Sequence, residues 1–67
     1  MNTRKLRGRI REHYETQEAF AKALEMSPAT LSKKLMGKTE WDRQEIEEVC
    51  ALLHIAIEEI PSYFFSQ

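Results

Sequence analysis

The stretch TQEAFAKALEMSPATLSKKLMG, residues 16–37, decides how this chain folds. Thr16 is a side-chain cap, with Gln17 and Glu18 in the first turn of a helix expected to reach about Leu24. Its inner face is Phe20, Ala21 and Leu24. Glu25-Met26-Ser27 is too short for anything but a tight turn. Ser27 is a second cap, and Pro28 stands at the first helical position, where its missing N–H costs nothing. The helix that follows runs to about Met36, burying Leu31 and Leu35, and Gly37 closes it. An eight-residue helix, a three-residue turn and a capped second helix make a helix-turn-helix candidate. Ala21 is small where the second helix crosses the first, and Leu24, Met26 and Leu31 fill the angle between them.

Outward from this stretch the helical period continues. Leu6, Ile10 and Tyr14 share one face of a helix expected over Thr3 to Tyr14, and Arg4, Arg7 and Arg11 form a separate stripe. Gly8 inside it costs about 1 kcal/mol relative to alanine, and marks either a close approach or plain tolerance. After the loop Lys38-Thr39-Glu40-Trp41, the run Asp42-Arg43-Gln44-Glu45 reads as a capping box. The next helix buries Ile46, Val49, Cys50 and Leu53. A short fifth helix around 56–60 is expected to stop before Pro61, leaving an aromatic tail of Tyr63, Phe64 and Phe65. No stretch alternates as a strand. The expectation is therefore an all-α, compact bundle of about five short helices, one domain over residues 1–67. The helix-turn-helix occupies about 16–36, and the C-terminal helix and tail occupy 56–67.

Composition narrows the chemistry. One cysteine excludes a disulfide within the chain and an all-cysteine zinc site. The spacing of His13, Cys50 and His54 matches no structural metal motif, so no metal is expected. Cys50 reads as a small core residue in a reducing cytoplasm. No apolar run approaches the roughly 18 residues of a membrane helix, and the basic start lacks a signal peptide's apolar stretch. A cytoplasmic location without membrane contact follows as an expectation. No nucleophile sits beside a base and no glycine loop could cradle phosphate, so neither an enzyme, a cofactor nor a small-molecule substrate is expected. Glu47-Glu48 and Glu58-Glu59 read as solvated faces.

The net charge of −1 conceals an asymmetry. Before residue 40 there are nine lysines and arginines against four acids; from residue 40 onward, Arg43 stands against seven acids. One end is basic and suits phosphates, while the other keeps the molecule soluble.

TQEAFAKALEMSPATLSKKLMGKTEW resembles the helix-turn-helix of the lambda-repressor and Cro-like superfamily, the xenobiotic-response-element-type regulators. The resemblance covers roughly residues 4–55. The loop GKTEW and the ending IPSYFF are similar to those of small phage and prophage Cro-like regulators. The resemblance implies a lambda-repressor-like fold and sequence-specific binding of double-stranded DNA, usually as a homodimer on a palindromic operator, to repress transcription. An antitoxin-type helix-turn-helix protein, or a protein-interaction module of the same fold, remains the alternative. Two positions depart from the pattern. Relatives usually carry glycine where this chain has Glu25, so the turn is either strained or differently shaped. Many relatives pair an arginine with a glutamate where this chain has Ile10 and Leu35, implying an apolar contact in place of an ion pair.

At about 100° per residue, Leu31 and Leu35 mark the buried side of the second helix. Ala29, Lys33 and Met36 face the other way, flanked by Ser32 and Thr30. In this fold the start of that helix enters the major groove. The base-reading candidates are therefore Ser27, Pro28, Ala29, Thr30, Ser32 and Lys33, with Lys33 the strongest donor to guanine and Ala29 suited to a thymine methyl. Lys34, Lys38, Thr39 and Arg43 are phosphate candidates, and the resemblance adds Gln17. The Arg4, Arg7 and Arg11 stripe either touches DNA or pairs with Glu12, Glu15 or the acidic half. Tyr63, Phe64 and Phe65 either form a dimer interface or pack into the core, and Trp41 either packs or anchors a partner.

Overall fold

The computed structural model describes residues 3–65; positions 1, 2, 66 and 67, the last two within the expected tail, lie outside the described residues. Four α-helices form: α1 (Thr3–Tyr14), α2 (Gln17–Ala23), α3 (Pro28–Leu35) and α4 (Arg43–Leu53). A 3₁₀ turn, Ile57–Glu59, and a wide π turn, Pro61–Phe65, complete the chain. Among the described residues there is no strand. The fold is a compact all-α bundle, and its radius of gyration of 10.6 Å matches the roughly 11 Å of a close-packed chain this long.

The helices start where their caps dictate. The Thr16 hydroxyl accepts the Ala19 N–H at 3.1 Å, and the Ser27 hydroxyl accepts the Thr30 N–H at 3.1 Å. At α4 the capping box closes both ways: Asp42 accepts from the Glu45 N–H at 2.8 Å, and Glu45 accepts from the Asp42 N–H at 2.9 Å. Each bond satisfies a donor that the first helical turn leaves unused.

The helices also stop alike. A left-handed residue follows each of them: Glu15 (φ 67°), Glu25 (φ 56°), Gly37 (φ 79°) and His54 (φ 56°). After α3 the Lys38 N–H returns to the Lys33 carbonyl at 2.9 Å and the Gly37 N–H to the Lys34 carbonyl at 3.1 Å. After α2 the same pair of bonds runs from Met26 to Ala21 (2.9 Å) and from Glu25 to Lys22 (3.0 Å). The turn between α2 and α3 therefore keeps the left-handed geometry with a glutamate in it, and strain is the answer of the two foreseen. A side chain in that region costs roughly 1–2 kcal/mol.

The core holds Leu6, Ile10, Phe20, Ala21, Leu24, Leu31, Leu35, Val49, Cys50, Leu53, Ile55, Tyr63 and Phe64, with no polar or charged residue buried among the described residues. Ile10 and Leu35 both lie in it. The helix α1 packs against α2, α4 and the Pro61–Phe65 turn. It also satisfies carbonyls that other helices leave orphaned. Thr3 donates its hydroxyl to the Leu35 carbonyl at the end of α3 (2.8 Å). Arg9 donates to the Leu53 and His54 carbonyls at the end of α4 (2.9 Å each).

The short fifth helix forms as a single 3₁₀ turn, Ile57–Glu59, and ends before Pro61 as expected; Pro61 then opens a further turn. Proline suits an opening position because no helical bond needs its nitrogen. Lys5 of α1 donates to the Ser62 hydroxyl (2.7 Å), which donates to the Glu59 carbonyl (2.8 Å). The expected tail is thereby folded, with Tyr63 and Phe64 inside.

Two stability changes follow. Glu25→Gly is expected to raise stability by about 0.5–1 kcal/mol, because glycine relieves the left-handed strain at some cost in chain entropy. Gly8 resolves as tolerance within the fold, since a Cβ built there meets nothing within 4 Å. Gly8→Ala is expected to add about 0.5–1 kcal/mol. In thermal unfolding each would lift the midpoint by several degrees, about 4–8 °C per kcal/mol in a domain this small.

Candidate nucleic-acid interface

The outer face of α3 begins at its cap. The Ser27 hydroxyl accepts from the Thr30 N–H and donates to Thr30 Oγ1 at 2.8 Å, so its one hydrogen is in use. Ser27, one of the base-reading candidates, is exposed and caps the helix. Thr30 is exposed, and its own hydroxyl hydrogen stays available to a ligand. Pro28 and Ala29 are exposed, and Ser32 is half-buried. Lys33 is exposed, and its side chain makes no hydrogen bond or ion pair among the described residues. Met36, 50% exposed, completes the expected Ala29–Lys33–Met36 face.

The neighbouring lysine does something else. Lys34 was expected to reach a phosphate, but its ammonium lies inward, bonded to the Glu40 carbonyl at 2.8 Å and paired with Glu45 at 2.9 Å. Its side chain is 12% exposed and sits 5.8 Å from the centre of the Trp41 ring. Lys34 therefore braces α3, the following loop and α4 together. The reason is angular: one residue is about 100° of helix, enough to move a side chain from the open face of α3 to its seam with α4.

The remaining phosphate candidates are open. Gln17 is half-buried at the first position of α2, and Lys38 and Thr39 are exposed directly after Gly37. The turn at Gly37 brings the Lys38 backbone back onto the Lys33 carbonyl. Arg43 is exposed at the start of α4, 3.5 Å from Glu47 in a loose surface pair that leaves its guanidinium available.

Arg4, Arg7 and Arg11 are exposed on α1. The foreseen pairing with Glu12 or Glu15 is not made among the described residues. They line two adjoining hollows instead: one formed by Arg7, Ile10, Arg11, Glu15, Thr16 and Gln17, the other by Thr3, Arg4, Arg7, Gly8 and Arg11.

A third hollow, on the α3–α4 loop side, includes Gly37, Thr39, Trp41, Ile46, Phe64 and Phe65. Trp41 is half-buried, edge-on to Phe64 with ring centres 5.8 Å apart, and so packs as one of its two foreseen roles required. Its indole N–H is buried without an acceptor among the described residues. The aromatic run divides: Tyr63 and Phe64 join the core, while Phe65 is 68% exposed. Ile57, 80% exposed, is a second apolar side chain on this C-terminal segment.

The other reactive groups have quieter positions. Burial pushes the Cys50 thiol up, so it stays protonated at neutral pH and is a poor nucleophile. His13 and His54 are exposed with ring centres 5.3 Å apart. Among the described residues, no helix is long and apolar enough to cross a membrane.

A family described as "Protein of unknown function (DUF739)" matches residues 1–67. The chain belongs to the DUF739 family. No curated protein matches it. In this DUF739 member, two structural roles were not legible in advance. Thr3 and Arg9 reach carbonyls 32 and 44 residues away, and no local pattern signals such a partner.

Lys34→Met keeps the apolar stem but removes the brace. It is expected to cost about 1–3 kcal/mol, the usual worth of hydrogen bonds to a charged group, read by denaturant unfolding. An unchanged midpoint would mean that the brace carries no load.

Proposed function

We propose that the chain is a sequence-specific double-stranded DNA-binding transcriptional regulator of the lambda-repressor/Cro-like type, a phage or prophage repressor acting as a homodimer on a palindromic operator. The observation that carries this reading is the split of the lysine pair. Lys34 is consumed inside the fold, while Lys33 stands unpaired on the open face of α3 between Ala29 and Met36.

In this reading the start of α3 enters the major groove. Pro28 and Ala29 meet a thymine methyl, Thr30 supplies a hydroxyl, and Lys33 donates to guanine O6 and N7. Lys38, Thr39, Arg43 and Gln17 hold phosphates and set the register without reading bases. Lys34 acts at one remove: by fixing the Glu40 carbonyl it orders the loop that presents Lys38 and Thr39. With one strong donor on the reading face, direct readout is modest, and DNA shape carries a larger share of specificity. The exposed Ile57 and Phe65 favour a two-fold dimer through the C-terminal segment. The same two side chains also favour the second reading, a module that binds a protein partner through this fold without DNA.

Salt separates the two readings. Binding through several phosphates weakens steeply as salt rises, whereas an apolar protein interface does not. Selection from random duplex DNA is expected to return a palindromic site. No salt-dependent affinity for duplex DNA would sink the regulator reading. Lys33→Ala is expected to lose about 1–3 kcal/mol of discrimination at one base pair. Lys38→Ala is expected to weaken all sequences alike and lower the salt slope by about 1. Identical effects of the two on selected and random DNA would show that the reading face is misplaced.

A further inference from the structure

The arginines on the outer face of α1 are a concentration of charge that the fold leaves unused. Arg4, Arg7 and Arg11 repeat at spacings of three and four residues, which sets like charges on adjacent turns, an arrangement that costs a helix stability. The acids nearest in sequence, Glu12 and Glu15, make no ion pair with them among the described residues. The pairs seen there are Lys34–Glu45 and Arg43–Glu47, both elsewhere. Three mutually repelling guanidinium groups therefore stand without an ion-pair partner among the described residues.

Their surroundings are concave. Arg7 and Arg11 border both hollows on this side, and Arg4 extends the second. Gly8 lies in that second hollow, where a Cβ would meet nothing within 4 Å, so the surface is open down to the helix backbone. The position of the stripe is fixed at both ends. The Thr3–Leu35 bond pins the start of α1 to the end of α3, and the first hollow reaches Gln17 at the start of α2. The stripe thus begins near the end of α3 and ends beside the start of α2. From Arg4 to Arg11 the helix rises about 10 Å, the axial length of roughly three phosphates of one DNA strand.

We propose that Arg4, Arg7 and Arg11 form a phosphate track that binds the sugar-phosphate backbone of duplex DNA beside the segment α3 reads; this rests on the regulator reading above. Guanidinium forks match phosphate oxygens bidentately and carry no sequence information, so the track supplies affinity and orientation rather than specificity. Glu15, in the first hollow, is the one carboxylate that opposes it.

The test compares the intact chain with R7Q/R11Q, whose side chains have no partner inside the fold, using a mixed-sequence duplex titrated across salt. Losing two phosphate contacts is expected to reduce the slope of log affinity against log salt by about 1.8, at 0.9 per phosphate. Between about 50 and 200 mM salt the intact chain would then lose about ten-fold more affinity than the variant. Glu15→Gln is expected to tighten binding. On the selected site, phosphate-ethylation interference is expected to disappear from the flanking backbone in R7Q/R11Q and to persist opposite Lys38. An unchanged slope and interference pattern, with the intact chain still binding, would overturn the track and leave the regulator reading standing. A chain with no salt-dependent DNA affinity would overturn both.

Discussion

The structure depends on how closely α3 can cross α2, and Ala21 sets that distance. Its side chain is fully enclosed, and its carbonyl accepts the Met26 N–H that reverses the chain. A larger side chain there would push the helices apart and would also displace the turn that the carbonyl closes. The turn in turn needs a left-handed residue at Glu25, which the chain tolerates at a cost because the helices on either side bury Phe20, Leu24 and Leu31 in the core. Core packing of this kind outweighs a backbone penalty of roughly 1–2 kcal/mol. Left-handed residues also end α1 and α4, at Glu15 and His54. The chain thus relies on packing, more than on favourable turn residues, to stop its helices.

Around that crossing, α1 acts as the clamp. It contributes Leu6 and Ile10 to the core, Thr3 to the end of α3 and Arg9 to the end of α4. Lys5 adds a bond to Ser62 and lies 4.4 Å from the centre of the Tyr63 ring. With the C-terminal turn folded back in this way, Tyr63 and Phe64 add apolar mass to a core that 67 residues can barely supply. That leaves Arg4, Arg7 and Arg11, on the remaining side of the same helix, with no structural duty. The basic residues of the first half thus separate into those that hold the fold and those that do not, a distinction net charge cannot express.

The two lysines of α3 divide along the same line. Lys34 lies among Glu40, Trp41 and Glu45, and fixes the loop to both helices. Its partner Glu45 also completes the capping box of α4, so one carboxylate orders the start of that helix and the end of the loop before it. In the proposed reading this shared acid relates the groove-facing helix to the phosphate-facing loop, because both are braced on one ion pair. Such a pair, little exposed, is stabilising only when its remaining bonding capacity is filled, as the Asp42 and Glu40 backbones fill it here.

The sequence by itself determined the helices, the caps and the helical part of the core, but not the burial of Ile55, Tyr63 and Phe64. Those properties are local: a Ser27-Pro28 start, a Gly37 stop and apolar spacings of three and four residues act over a single turn of chain. The candidate surface of α3 was legible to the same extent, since helical angle alone separates Leu31 and Leu35 from Ala29 and Lys33. Only the tertiary structure decided which polar groups are already spent. The Lys34 ammonium is closed by a loop carbonyl and an acid on another helix, the Leu35 carbonyl by Thr3, and the Leu53 and His54 carbonyls by Arg9. Whether a donor is free depends on neighbours brought close by folding, and no spacing in the chain encodes that distance.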